Sequence, residues 1–303
     1  MYVAKQEFSE NELFAICETA YNNRQRVANT AEILAQWAED AAAFRQGANA
    51  DLDLTYLDAL AGGSERTKLD IFWPEGANKE NCPIALYIHG GYWQAMDKSS
   101  SSHVARGVNA HGVALALPSY DLCPDASIGQ IADQIAQACL FLWERFRRRL
   151  AVGGHSAGGH LTAAMLQRDF TALNPQAPAD LVMGGVPLSG LFDLRDLVYT
   201  TINDKVKMDL TEAVAWSPLL QPAPKGKVLH SYVGAEESTA FIWQSTAIAE
   251  DWAAAGNTTS HTATRRADGK ADDHFTIVAH LSDPDSAMTK HLAELAKAAA
   301  KRK

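Results

Sequence analysis

Residues 154–158, Gly154-His155-Ser156-Ala157-Gly158, follow the apolar stretch 150–153 and precede helical apolar spacing from about Ala157 to Leu166. A G-x-S-x-G pentapeptide between a strand and a helix sets its serine on a sharp, strained turn with the hydroxyl projecting above the sheet. The glycines are required because a strand reversing straight into a helix leaves no room for side chains beside the serine. Such a hydroxyl offers nucleophilic attack on an acyl carbonyl. The attack turns the carbonyl oxygen into an oxyanion, which needs preset donors. A second motif, His89-Gly90-Gly91-Tyr92-Trp93, follows the apolar run PIALYI at 83–88. Its glycine pair lets backbone N–H groups face the serine, so the amides of Gly91, Tyr92 and Ala157 are the expected oxyanion donors. His89 is read as a ring that pins the loop by a hydrogen bond.

Serine needs a base, and the base needs an orienting carboxylate. Around such an elbow the order along the chain is serine, acid, histidine, with the last two on loops after late strands. Gly234-Ala235-Glu236-Glu237-Ser238 follows the apolar run 228–233, and Ala271-Asp272-Asp273-His274-Phe275 follows the stretch 258–264. His274 is taken as the base, because His230, His261, His280 and His291 fall inside expected strands or helices. Glu237 is taken as the acid, with Glu236 in reserve. Tyr92, Trp93 and Phe192 are the aromatic candidates for a substrate pocket, while Trp216 suits a pocket or the core equally. Tyr120 and Asp121 are read as shaping the site without reacting. His155 and His160 lie five apart and no H-E-x-x-H occurs, so neither a metal nor a cofactor is expected.

Alternating strands and helices must position these residues. Beyond the runs already named, 112–117 and 181–188 read as strands, 128–142, 241–255 and 286–300 as helices, and 52–57 and 67–73 as antiparallel edge strands. This pattern predicts an α/β fold: a mostly parallel sheet with antiparallel N-terminal strands and helices on both faces. Residues 1–50 lack strand signals, and Ile33, Leu34, Trp37 and Ala41 share one helical face, so a helical segment packed on the core is expected there. Residues 51–303 read as one domain, with an excursion at about 192–220 forming a small helical lid over the sheet edge where ligand sites lie.

Composition narrows the partners. The chain has 303 residues, 47% apolar and 21% charged, with a formal net charge of −9. That balance is ample for a core and argues against nucleic acid or anionic lipid as partner, leaving a small-molecule substrate and, among macromolecules, a second copy of the chain as a homodimer. No apolar run is long enough for a membrane helix, and the N-terminus reads as carrying no export signal. The four scattered cysteines contain no C-x-x-C pair, which fits a reducing cytoplasm.

Taken together, HGGYWQ at 89–94, PSYDLCP at 118–124, GHSAGGHL at 154–161, SGLFDL at 189–194, VGAEESTAF at 233–241 and DHF at 273–275 resemble the kynurenine formamidase (arylformamidase) group of α/β-hydrolases, close to hormone-sensitive-lipase-type esterases. The resemblance runs from YNNR at 21–24 to about residue 290. It implies the α/β-hydrolase fold, Ser156 as nucleophile, His274 as base, an oxyanion placed by HGGYW and, by position, Glu237 as acid. It also implies a serine hydrolase of small N-acyl or N-formyl arylamines, with tryptophan catabolism as the setting. A broad small-molecule carboxylesterase is the alternative. Hydroxynitrile-lyase-type chemistry and a non-catalytic binding module are remoter ones, because the same scaffold hosts other activities.

Overall fold

Apolar runs of five or six residues have two faces to bury, and here they form the middle of the sheet. The computed structural model describes residues 8–302. Its strands are β1 (Ala50–Thr55), β2 (Lys68–Phe72), β3 (Ile84–Ile88), β4 (Ala114–Pro118), β5 (Leu150–His155), β6 (Val182–Leu188), β7 (Val228–Gly234) and β8 (Thr258–Thr264). They join in one sheet in the order β1-β2-β4-β3-β5-β6-β7-β8. β1–β2 and β2–β4 pair antiparallel and the remaining neighbours parallel. Every residue of β3, β4 and β5 is buried.

The helices are α1 (Glu10–Tyr21), α2 (Asn23–Arg26), α3 (Thr30–Gly47), α4 (Ala105–Ala110), α5 (Ile128–Phe146), α6 (Ala157–Gln167), α7 (Asn203–Val206), α8 (Leu210–Ala215), α9 (Thr239–Ala254), α10 (Ala279–Ser282) and α11 (Ala287–Lys301). Alternate residues of β3 point to opposite faces. Ile84, Leu86 and Ile88 join Ile131 and Ile135 of α5, Leu161 of α6 and Phe241 of α9. Ala85 and Tyr87 join Val108 of α4 and Met288, Leu292 and Ala296 of α11. The expected alternation of 128–142 is the buried face of α5, whose start is a capping box between Ser127 and Gln130.

The N-terminal strands depart from the sequence reading. Alternation in 67–73 suggested an edge, yet β2 lies between β1 and β4. The polar member of that alternation, Asp70, is fully buried and bonds Arg45 of α3 at 2.7 Å and Lys98 at 2.9 Å. A buried carboxylate is tolerable only when paired in this way, and the pairing ties α3 to the sheet. β1 begins at Ala50 rather than 52, with a register shift between Asp51 and Leu54. Asp53 sits in that bulge at φ 55°, its N–H donating to Asp70 at 2.8 Å. Among the described residues no helix is long and apolar enough to cross a membrane.

The register brings the chemistry-bearing loops to one edge. Ile88 pairs with Gly154, His155 with Leu188, and Leu188 with Tyr232. The ends of β3, β5, β6 and β7 are therefore level, and the loops that leave them converge.

Candidate active site

Ser156 follows β5 directly and caps α6, with φ 56° and ψ −116°, a backbone that L side chains rarely adopt. It is held by its N–H, which donates to Leu188 O at 2.8 Å. Glycine at 158 is what lets the turn close, since a Cβ there would lie 2.0 Å from the carbonyl oxygen of Ile88. Gly90 plays the matching part in the neighbouring loop: a Cβ would lie 2.9 Å from His155 O and 3.2 Å from Ser156 Cβ.

Ser156, His274 and Glu237 meet in one relay. Glu237 Oε2 lies 2.7 Å from His274 Nδ1, and His274 Nε2 lies 3.0 Å from Ser156 Oγ. A carboxylate only accepts, so His274 carries its proton on Nδ1 and leaves Nε2 free to accept from the Ser156 hydroxyl. All three side chains are buried. The second carboxylate oxygen, Glu237 Oε1, accepts from Gly234 N–H at 2.7 Å and from the Ser189 hydroxyl. Glu236 is exposed, so the reserve acid points away. The His274 loop is shaped by Asp273, whose Oδ1 accepts from the N–H groups of Phe275 and Thr276 at 2.8 and 2.9 Å. His155 Nε2–H donates to His274 O at 2.7 Å.

Gly91 and Tyr92 border the same cavity as Ser156 and His274, and Ala157 opens α6. Among the described residues no protein acceptor takes up the N–H of Gly91, Tyr92 or Ala157. An oxygen over Ser156 would find free amides from two elements, one of them a helix N-terminus. His89 pins this loop through its own neighbours: Nδ1 contacts Gly90 O at 2.8 Å, and the ring stacks on Tyr120 at 4.2 Å. Tyr120 is fully buried and donates to His89 O at 2.9 Å.

The cavity, ≈ 240 Å³, corrects part of the pocket reading. Tyr92 lines it, whereas Trp93 and Phe192 are fully buried and belong to the core. Trp93 meets His160 edge-on at 5.1 Å, and Phe192 packs against Gly190. Trp216 packs against that core too. The walls come instead from Asn22, Asn23, Arg24, Leu34 and Trp37 in the N-terminal helices, and from Thr201, Ile202 and Lys205 around α7. None of these eight was expected at the pocket: YNNR at 21–24 marks the resemblance and Leu34 and Trp37 a helical face, but only the folded cavity brings them beside Ser156. Among the described residues no group of three or more His, Cys, Asp or Glu is placed to hold a metal ion.

Burial depresses two histidines behind the elbow, His89 and His160, from the ordinary 6.5 to about 4. His155 is also pushed well down, by burial first and by His274 second. In the unfolded chain these rings take up protons as pH drops below about 6.5, while the folded protein resists until about 4. The stability these rings contribute is therefore level above pH 6.5 and falls as pH drops through that window. His89 and His160 together remove on the order of several kcal/mol by pH 4. Calorimetric Tm is expected to decline from pH 6.5 downward, before carboxylates titrate. A Tm unchanged to pH 5 would refute this.

A sequence model of the α/β hydrolase fold matches residues 85–267. Kynurenine formamidase of Drosophila melanogaster is 30% identical over 248 residues, 78% of this chain and 80% of that one. Kynurenine formamidase of Salmo salar is 29% identical over 251 residues, covering 80% and 82%. A crystal structure from Silicibacter sp., described as a candidate thioesterase, superposes with a TM-score of 0.78 at 35% identity, covering 92% of this chain and 98% of its own.

Proposed function

Since the chain belongs to the kynurenine formamidase-like family of α/β-hydrolases, we propose that it is a serine hydrolase cleaving a small N-acyl or N-formyl arylamine, of N-formylkynurenine type, through an acyl-enzyme. The observation that carries the reading is the relay of Glu237, His274 and Ser156, the last two lining a cavity with free amides beside them. Ser156 Oγ attacks the carbonyl while His274 Nε2 takes the hydroxyl proton, and Glu237 stabilises the imidazolium that forms. The amides of Gly91, Tyr92 and Ala157 receive the oxyanion. His274 then returns the proton to the departing arylamine nitrogen. Water, deprotonated by the same ring, releases the acid and regenerates Ser156.

Charge supports a substrate with an anionic end. Arg24 and Lys205 line the cavity and, among the described residues, no Asp or Glu does, in a chain of formal net charge −9. A carboxylate on the aryl portion would meet two cations there. Replacing both (Arg24→Ala with Lys205→Ala) is expected to raise KM for N-formyl-L-kynurenine roughly tenfold at low salt, because both are exposed and screened. KM for neutral p-nitrophenyl acetate should move less than about twofold. Equal effects on the two substrates would exclude charge recognition.

The experiment that tests the function compares kcat/KM for N-formyl-L-kynurenine, p-nitrophenyl acetate and p-nitrophenyl butyrate. The formamide is expected to lead by ~10² or more if the cavity reads its head group. If the esters lead and the formamide is ignored, the protein is a carboxylesterase on the same scaffold.

A further inference from the structure

Ser189 is the first residue after β6 and has φ 48°, in the left-handed region that favours glycine. Its side chain is fully buried. The N–H donates to Tyr232 O at 2.7 Å, which fixes the residue to the end of β7. Its hydroxyl donates to Glu237 Oε1, and no other partner for that hydroxyl occurs among the described residues. A serine in this conformation carries backbone strain that glycine would avoid. The strain places one hydroxyl against one carboxylate oxygen.

That oxygen needs donors. The Glu237 side chain is wholly buried, so each carboxylate oxygen must find its hydrogen bonds inside the protein. Oε2 has His274, while Oε1 has Gly234 N–H and Ser189. A glutamate has one more rotatable bond than an aspartate, and two donors on Oε1 stop the carboxylate from turning about it. With Oε1 pinned, Oε2 stays aimed at His274 Nδ1.

We propose that Ser189 is a positioning residue of the relay, acting through Glu237 to hold His274 in the tautomer and orientation that activate Ser156. It touches no substrate atom. The inference rests on the reading of Ser156, His274 and Glu237 as the catalytic triad.

The test measures the second-order rate of labelling by a fluorophosphonate probe, which reports Ser156 reactivity whatever the natural substrate is. Ser189→Ala removes the hydroxyl and keeps the strained backbone, whereas Ser189→Gly removes both. Each variant is expected to label roughly tenfold more slowly than the wild type, with Ser189→Gly melting no lower than Ser189→Ala. The far-downfield proton resonance of His274 Nδ1–H should shift in both. In a Glu237→Ala background, adding Ser189→Ala should change labelling less than about twofold, because its only route of action is gone. Wild-type labelling by Ser189→Gly would overturn the proposal, leaving only a backbone role. So would an equal loss from Ser189→Ala with and without Glu237. Ser156→Ala separates the two readings: continued labelling of that variant would remove the triad itself. Its silence, beside wild-type labelling of both Ser189 variants, would remove only the role of Ser189.

Discussion

A Ser156→Ala variant is expected to lose roughly 10³-fold or more in kcat while folding normally. The size follows from the proposed mechanism of the relay. Without Oγ the proton on Nδ1 and the carboxylate behind it have nothing to activate, so the loss approaches that of removing the three groups together. The free amides and the cavity survive, and they set a residual rate above that in water. Folding is preserved because alanine keeps the Cβ and the backbone bond from residue 156 to Leu188 O. The strained φ of 56° is unchanged in kind. Steady-state kinetics with a Tm measurement on the same sample checks both halves. Wild-type turnover by this variant would end the serine mechanism.

The sheet and the meeting of Ser156, Glu237 and His274 were legible for the same reason: their signals are local. β3, β4 and β5 are buried on both faces and read as unbroken apolar runs, and the elbow occupies contiguous residues between a strand and a helix. The choice between Glu236 and Glu237 was a narrower matter. Both occupy one turn after β7, and only the fold shows that the first faces solvent while the second turns inward to Gly234 N–H and His274.

The pocket was not legible, because its walls are non-local. Residues 22–37 and 201–205 come together only when the N-terminal helices and α7 meet over the sheet edge. Aromatic residues beside the motifs suggested Trp93 and Phe192, but side-chain direction there is set by backbone that sequence patterns do not reveal. Gly91, Tyr92 and Trp93 have φ of 101°, 50° and 56° in succession. That winding turns Tyr92 to the cavity and Trp93 onto His160. Asp70 misled in the same way: alternation marks a polar residue as outward-facing unless its counter-ions, Arg45 and Lys98, are known to be beside it.

Gly158→Ala is expected to be as damaging to activity as loss of an oxyanion donor, and to lower stability as well. The added Cβ would stand 2.0 Å from Ile88 O and 2.8 Å from His89 O, both main-chain atoms. No rotamer change relieves such a contact, so a segment of backbone must move. If the end of β3 moves, it carries Gly90, Gly91 and Tyr92 away from Ser156. If the first turn of α6 moves, it carries the Ala157 amide. Either way the proposed donors leave the position where the oxyanion would form, for an expected loss of roughly 10²-fold or more in kcat. Overpacking against main chain should also remove about 3 kcal/mol of stability. Gly47→Ala serves as the control, since a Cβ at the last residue of α3 meets nothing within 4 Å. That control should be neutral or slightly stabilising, by up to about 1 kcal/mol. Wild-type kcat and Tm in Gly158→Ala would mean that the contact between β3 and α6 does not hold the two motifs in register, and the oxyanion assignment would fall with it.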